Sequence, residues 1–258
     1  MAALLVGALA APAAAQEGSA FEWAGSISRG DELEVRGISG DIRVVLARGD
    51  RAEVTATKHG RSRDFEDVEI VAVETRDGIR VCAIYFPRGR AEDRCEDREH
   101  GNNGRWNDDI DVEVDFEVAL PAGVDFRGVT VAGRIDVEDV RSDVRVNTVS
   151  GDITVSTSEI AQANTVNGEM DIEIGSTDWD ELDFATVSGD ITLTLPASAE
   201  TEVRFASLSG DFDSDFDVRY TRKRDRWVGA NIEGVIGDDR RSVAFKTVSG
   251  DVRLRRGS

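Results

Sequence analysis

The sequence predicts an all-β protein, a parallel β-solenoid with long hairpin and loop excursions in its N-terminal half. Three observations predict it: a short phrase that recurs along the chain, a spacing of about 20 residues between copies, and apolar/polar alternation with a period of two. The copies align on their glycines as "ISGDIRV" from Ile38, "VAGRIDV" from Val131, "VSGDITV" from Val149, "VNGEMDI" from Val166, "VSGDITL" from Val187, "LSGDFDS" from Leu208 and "VSGDVRL" from Val248.

From Gly133 through Gly151, Gly168 and Gly189 to Gly210 the steps are 18, 17, 21 and 21 residues, and the step from Gly210 to Gly250 is 40. The long step is read as a missing or decorated coil. The segments between copies, such as "RSDVRVN" at Arg141 and "ETEVRFA" at Glu200, also alternate and leave no room for a helix with its turns. This disfavours a leucine-rich repeat, the helical rival at this period. A unit this short cannot bury one apolar face alone, whereas units stacked in register share a continuous core.

Carrying the alternation through the glycine gives an expected core. Val131, Val149, Val166, Val187, Leu208 and Val248 form one inward column, and Ile135, Ile153, Met170, Ile191, Phe212 and Val252 a second. Thr148, Thr165, Thr186, Ser207 and Thr247 are expected as an outward hydroxyl ladder. The glycine marks a bend or a close approach of neighbouring backbones.

The opening "MAALLVGALAAPAAAQ" carries an apolar run followed by small residues, which reads as a signal peptide over residues 1–15, although a basic leading segment is absent. The run is too short to span a membrane, and no later segment qualifies. Residues 16–258 are expected as one solenoid domain, with decorated N-terminal coils over 21–125 and regular repeat coils over 126–258. An exported, periplasmic, cell-surface or extracellular location follows.

The formal charge of −20 and a pI near 4.5 set up a field that repels polyphosphate, so nucleic acid is excluded as a partner. Cys82 and Cys95 fit export as a disulfide, in preference to a zinc site recruiting His100, because the spacing matches no standard zinc pattern. His59 and His100 lie in polar context without a nucleophile elbow, phosphate loop or zinc motif, so no catalytic residue, metal site or cofactor is assigned.

Two polar excursions are the candidate partner-binding loops. One, between Phe86 and Asp109, carries Trp106. The other, "RYTRKRDRW" from Arg219, places Tyr220, Arg222, Lys223, Arg224 and Trp227 in the one basic cluster of an acidic chain. It reads either as a solvated hairpin neutralising nearby acids or as a contact for an anionic glycan. The residue after each glycine gives a further column, Arg134, Asp152, Glu169, Asp190, Asp211 and Asp251. At about 4.8 Å between coils, like charges repel, and backbone capping of the turn is preferred to calcium binding as the relief.

The recurrent T-V-S/N-G-D/E-I-x-V/L phrase, together with "VALPAG" at Val118, resembles a bacterial cell-envelope family of candidate adhesins, a domain of unknown function. The resemblance covers the chain from about Phe21 onward and implies a right-handed β-helix. The expected function is that of an exported, non-enzymatic adhesin-like binding or scaffold protein with an envelope glycan or protein as partner. The alternatives are a structural module self-associating through open solenoid ends and, less favoured, a polysaccharide-active β-helix enzyme.

Overall fold

A computed structural model describes residues 13–85, 91–96, 111–225, 229–238 and 241–257. The N-terminal half contributes strands β1 (Ala13–Glu17), β2 (Ala20–Ser26), β3 (Glu32–Arg36), β4 (Ile42–Leu46), β5 (Arg51–Gly60), β6 (Val68–Thr75), β7 (Gly78–Tyr85) and β8 (Val112–Leu120), with a short helix α1 (Ala91–Glu96). The regular coils follow as β9 (Asp125–Val129), β10 (Ile135–Val140), β11 (Val144–Asn147), β12 (Ile153–Thr157), β13 (Ala161–Asn164), β14 (Met170–Ile174), β15 (Glu181–Ala185) and β16 (Ile191–Leu195). The last stretch holds β17 (Thr201–Ser209), β18 (Phe212–Ser214), β19 (Arg219–Asp225), β20 (Ala230–Ile236), β21 (Ser242–Ser249) and β22 (Val252–Arg256).

These strands form two 11-stranded sheets, one ordered β1-β2-β5-β8-β4-β10-β12-β14-β16-β22-β18 and the other β19-β20-β17-β21-β15-β13-β11-β9-β3-β7-β6. Each regular coil gives one strand to each sheet and turns between them through the repeated phrase. Stacking is parallel and in register, so Ile135 lies beside Ile153, Ile153 beside Met170, Met170 beside Ile191 and Ile191 beside Val252. That column is buried from Ile135 to Val252, as the alternation anticipates, its last member Phe212 beside Val252 is half-buried, and Phe184 and Phe245 stack in the other sheet at 5.8 Å.

The other expected column is inverted. Val149, Val166, Val187, Leu208 and Val248 are 45%, 38%, 45%, 55% and 44% exposed, while Thr148, Thr165, Thr186, Ser207 and Thr247 are buried. The reason is that the side-chain alternation does not run through the glycine. In β11, Val144 and Val146 point inward and the alternation carries Thr148 inward too; the corner at Val149–Asp152 then consumes one extra residue, so Ile153 resumes the inward parity. Three of the five buried hydroxyls are satisfied, Thr148 Oγ1 donating to the Gly133 carbonyl, Thr165 Oγ1 to Gly151 and Thr186 Oγ1 to Val166, at 3.3, 3.3 and 3.4 Å, whereas Ser207 Oγ and Thr247 Oγ1 find no partner among the described residues. At Gly151, φ is +155° and an added Cβ would lie 2.0 Å from the Gly133 carbonyl oxygen, so the corner admits no side chain.

Sequence order and spatial order part at both ends. The coil formed by β21 and β22 sits between β15/β16 and β17/β18, and the coil formed by β3 and β4 sits between β7/β8 and β9/β10. The 40-residue step therefore contains β18, the β19–β20 hairpin and β21, not a lost coil.

The expectation of self-association through open solenoid ends places one end after "VRLRR", and the fold puts that end elsewhere. The strand holding Val252–Arg256 has a parallel neighbour on each side. Beyond it, β18 is the outermost strand of that sheet, and in the other sheet β17 pairs antiparallel with β20 and β20 with β19, which makes β19 the outermost strand at this end. At the opposite end, β5 pairs antiparallel with both β2 and β8, and β6 with β7. At the N-terminus β1 includes Ala13–Ala15 paired with β2, so cleavage after Ala15 would fall inside this strand.

Candidate functional site

Between the outward rows of the two sheets, the repeated corner projects one aliphatic side chain per coil. The small residues that follow each one make parallel bridges from coil to coil: Ser39 to Ala132, Ala132 to Ser150, Ser150 to Asn167, Asn167 to Ser188 and Ser188 to Ser249. Ser209 continues the series beside Ser249. The corner residues therefore line up as Ile38, Val131, Val149, Val166, Val187, Val248 and Leu208, a continuous aliphatic ridge. Its first two members are half-buried and its last five exposed. A row of exposed aliphatics continuous over five coils is a feature that soluble proteins usually reserve for contact.

Three residues beyond each exposed member stands a carboxylate: Asp152, Glu169, Asp190, Asp251 and Asp211. The expected column is thus present, and one oxygen of most of these acids caps the next turn. Asp152 Oδ1 accepts the Glu169 N–H at 3.0 Å, Asp190 Oδ1 that of Asp251 at 2.9 Å and Asp251 Oδ1 that of Asp211 at 2.9 Å. Asp41 Oδ1 takes the Arg134 N–H in the same way, at 2.7 Å. The backbone hydrogen bond from Asp251 and the Arg253 guanidinium hold the Asp190 carboxyl below the ordinary aspartate range despite some burial. On this sheet Asp171 and Glu173 add further exposed carboxylates. The opposite flank of the ridge runs through Val129, Asn147, Asn164 and Ala185, with Asn164 Nδ2 donating to Asn147 Oδ1 at 3.2 Å, and continues to Lys246, whose ammonium meets Asp183 Oδ2 at 2.7 Å.

The other sequence-derived candidates lie elsewhere. Trp106 and Trp227 fall outside the described residues, as does His100. Tyr220 and Arg222 lie on β19, the outer strand of its sheet, where Tyr220 is exposed and Arg222 Nη1 meets Glu233 Oε1 at 2.6 Å. Arg219 approaches Asp238 at 3.7 Å. Lys223 and Arg224 pair through their backbones with Ile232 and Asn231, and their side chains lie outside the described set. Tyr220, Arg222, Lys223 and Arg224 thus lie on the hairpin strand at one end of the stack, and β20 joins that strand to β17, which carries Leu208 at the end of the ridge.

Cys82 and Cys95 are bonded at 2.04 Å, and this bridge pins α1 against β7, where Ala91 and Cys95 pack with Val71, Val73 and Ile84. Under the helix lies a buried charge group that the sequence reading missed. Glu34 accepts from Arg80 Nε at 2.6 Å and from Arg36 Nε at 2.7 Å, and Arg80 Nη1 donates to the Cys95 carbonyl at 2.7 Å. Burial pushes the Glu34 carboxyl up, but the two arginine hydrogen bonds outweigh it and leave it below the ordinary glutamate range. His59, expected without a partner, sits on β5 with Nε2 at 3.1 Å from Asp115 Oδ2. Among the described residues no group of three or more His, Cys, Asp or Glu is placed to hold a metal ion, and no helix is long and apolar enough to cross a membrane.

A family model described as Toastrack DUF4097 matches residues 126–255. Among solved structures, a candidate cell adhesion protein from Clostridium sporogenes is similar at 9% identity and a TM-score of 0.45, covering 92% of this chain and 99% of the other. A candidate adhesin from Bacteroides fragilis is similar at 10% identity and a TM-score of 0.40, covering 92% and 98%. No curated protein matches the sequence.

Proposed function

The chain belongs to the Toastrack DUF4097 family, and we propose that it is an exported cell-envelope protein that works as an adhesin-like binding or scaffold element, not as an enzyme, with the corner ridge as its docking face. The observation that carries this reading is the ridge itself. Five aliphatic side chains, each 38–55% exposed, recur at the same corner of successive coils with no covering element from the described chain. Ordinary packing does not require them, because the buried threonines already fill the inner side of that corner. Exposing apolar surface in a row carries an aggregation hazard, and a partner that covers it removes that hazard. The apolar leader with its small-residue site supports export, with a mature chain beginning near Gln16.

Co-sedimentation with isolated envelope fractions tests the reading, comparing the wild type with the triple variant Val149→Ser, Val166→Ser, Val187→Ser. The wild type is expected in the pellet and the folded variant in the supernatant. Equal partition of the two would remove the ridge from the function.

A further inference from the structure

We infer that the ridge takes a cationic amphipathic polypeptide segment, an apolar stripe bordered on one side by Lys or Arg, which lies along the solenoid axis. This rests on the reading of the ridge as the docking face and adds the chemistry of its occupant. Two features of the surface point to it.

The first is the pairing of aliphatic and acid on every coil. Val149 goes with Asp152, Val166 with Glu169, Val187 with Asp190, Val248 with Asp251 and Leu208 with Asp211, while the opposite flank runs through the uncharged Asn147, Asn164, Ala185 and Ala206 and the cation Lys246 and carries no acid. A partner must then place basic groups along the acidic side of its apolar stripe and none along the other. Such one-sided complementarity fixes orientation and discourages wrong partners. The turn amide occupies one oxygen each of Asp152, Asp190 and Asp251, and Arg253 meets the second oxygen of Asp190 at 2.9 Å and that of Asp251 at 3.7 Å; the acids open to a partner are therefore chiefly the exposed Glu169 and Asp152, the latter with Arg134 4.0 Å away.

The second is length and continuity. Five coils stacked at about 4.8 Å give a ridge of about 19 Å, and an α-helix rising 1.5 Å per residue covers that with roughly 13 residues. An amphipathic helix presents its apolar anchors as one stripe, as this surface demands. A second copy of the chain is a poorer occupant, since each copy carries a formal charge of −20 and would bring its own acid row against the other. An anionic lipid surface is opposed by the same row.

The test uses the full chain and a fluorescently labelled 18-residue peptide of Leu and Lys arranged as an amphipathic helix. A peptide of the same composition, scrambled to abolish the stripe, is the control. The amphipathic peptide is expected to bind at least about tenfold more tightly than the scrambled one, and the valine-to-serine triple variant to lose that advantage. A second variant, Asp152→Asn with Glu169→Gln, keeps the Asn Oδ1 acceptor for the Glu169 N–H and so keeps the turn; it should weaken binding severalfold and flatten its salt dependence. Equal affinity for the two peptides, or an unaltered affinity in the triple variant, would overturn the inference. Concentration-dependent dimerisation lost in the triple variant would make a second copy the occupant, and binding to anionic phospholipid vesicles lost in that variant would make it a membrane; either overturns it as well. Envelope retention that depends on the ridge, without peptide binding, would leave the docking face standing and reject only this occupant.

Discussion

Asp190 Oδ1 accepts the backbone N–H of Asp251 at 2.9 Å although 61 residues separate the two. The same contact in the preceding coils spans 17 residues, as between Asp152 and Glu169. The difference measures the insertion of β21 and β22 between coils that are consecutive in sequence.

That insertion makes the last strands part of the interior of the stack. In a simple solenoid, removing an outer coil costs one nearest-neighbour interface. Here a chain ending at Arg241 loses the strand between β15 and β17 and the strand between β16 and β18, breaking the β-ladders on both sides. The truncated protein is expected to lose cooperative urea unfolding, followed by far-UV circular dichroism. A wild-type midpoint in the truncated chain would show that the coil is dispensable.

The glycine column provides a sharper contrast. Gly151→Ala puts a Cβ 2.0 Å from the Gly133 carbonyl oxygen at φ +155°, so it should destabilise by at least about 2 kcal/mol. Gly49→Ala meets nothing within 4 Å and should change stability by under about 0.5 kcal/mol. Urea midpoints of the two variants decide the point, and similar losses would remove the stacking explanation.

The repeats made the stacked architecture legible, and residues such as Ile153 and Ile191 betrayed the inner face because an aliphatic after a turn, followed by strict alternation, has few other uses. Val149 was misread because alternation was carried through Gly151, where the corner adds a residue and reverses the parity. The position of Asp251 beside Asp190 was not legible either, since near-identical copies carry no mark of which copy stacks on which. Glu34 and Arg80 stand 46 residues apart in ordinary-looking alternating strands, and only folding reveals that they share a buried site.

The parity reversal predicts an unusual pair of substitutions. Thr186→Ala removes a buried hydroxyl bonded to the Val166 carbonyl and a core methyl group, and should cost about 1–2 kcal/mol. Val187→Ser alters a side chain that is 45% exposed and should stay within about 0.5 kcal/mol. Thermal melts that rank the two the other way would return the valines to the core.

The acid limb of stability tests the buried charge group. The folded chain holds the Glu34 carboxyl below its ordinary value, because hydrogen bonds from Arg80 and Arg36 outweigh the opposing effect of burial. The unfolded state therefore takes up the proton first as pH falls. The stabilisation is present above the unfolded-state pKa and is lost as pH drops through the lower folded-state value. Glu34→Gln abolishes this titration and removes the carboxylate that accepts from the buried Arg80 guanidinium, which should cost roughly 3 kcal/mol at neutral pH. In urea titrations from neutral to acid pH the variant should start lower and fall less steeply than the wild type, so that the gap narrows toward acid. A constant gap across that range would mean that Glu34 contributes by shape alone, and that its charge is not what holds β3 to β7 beneath the helix.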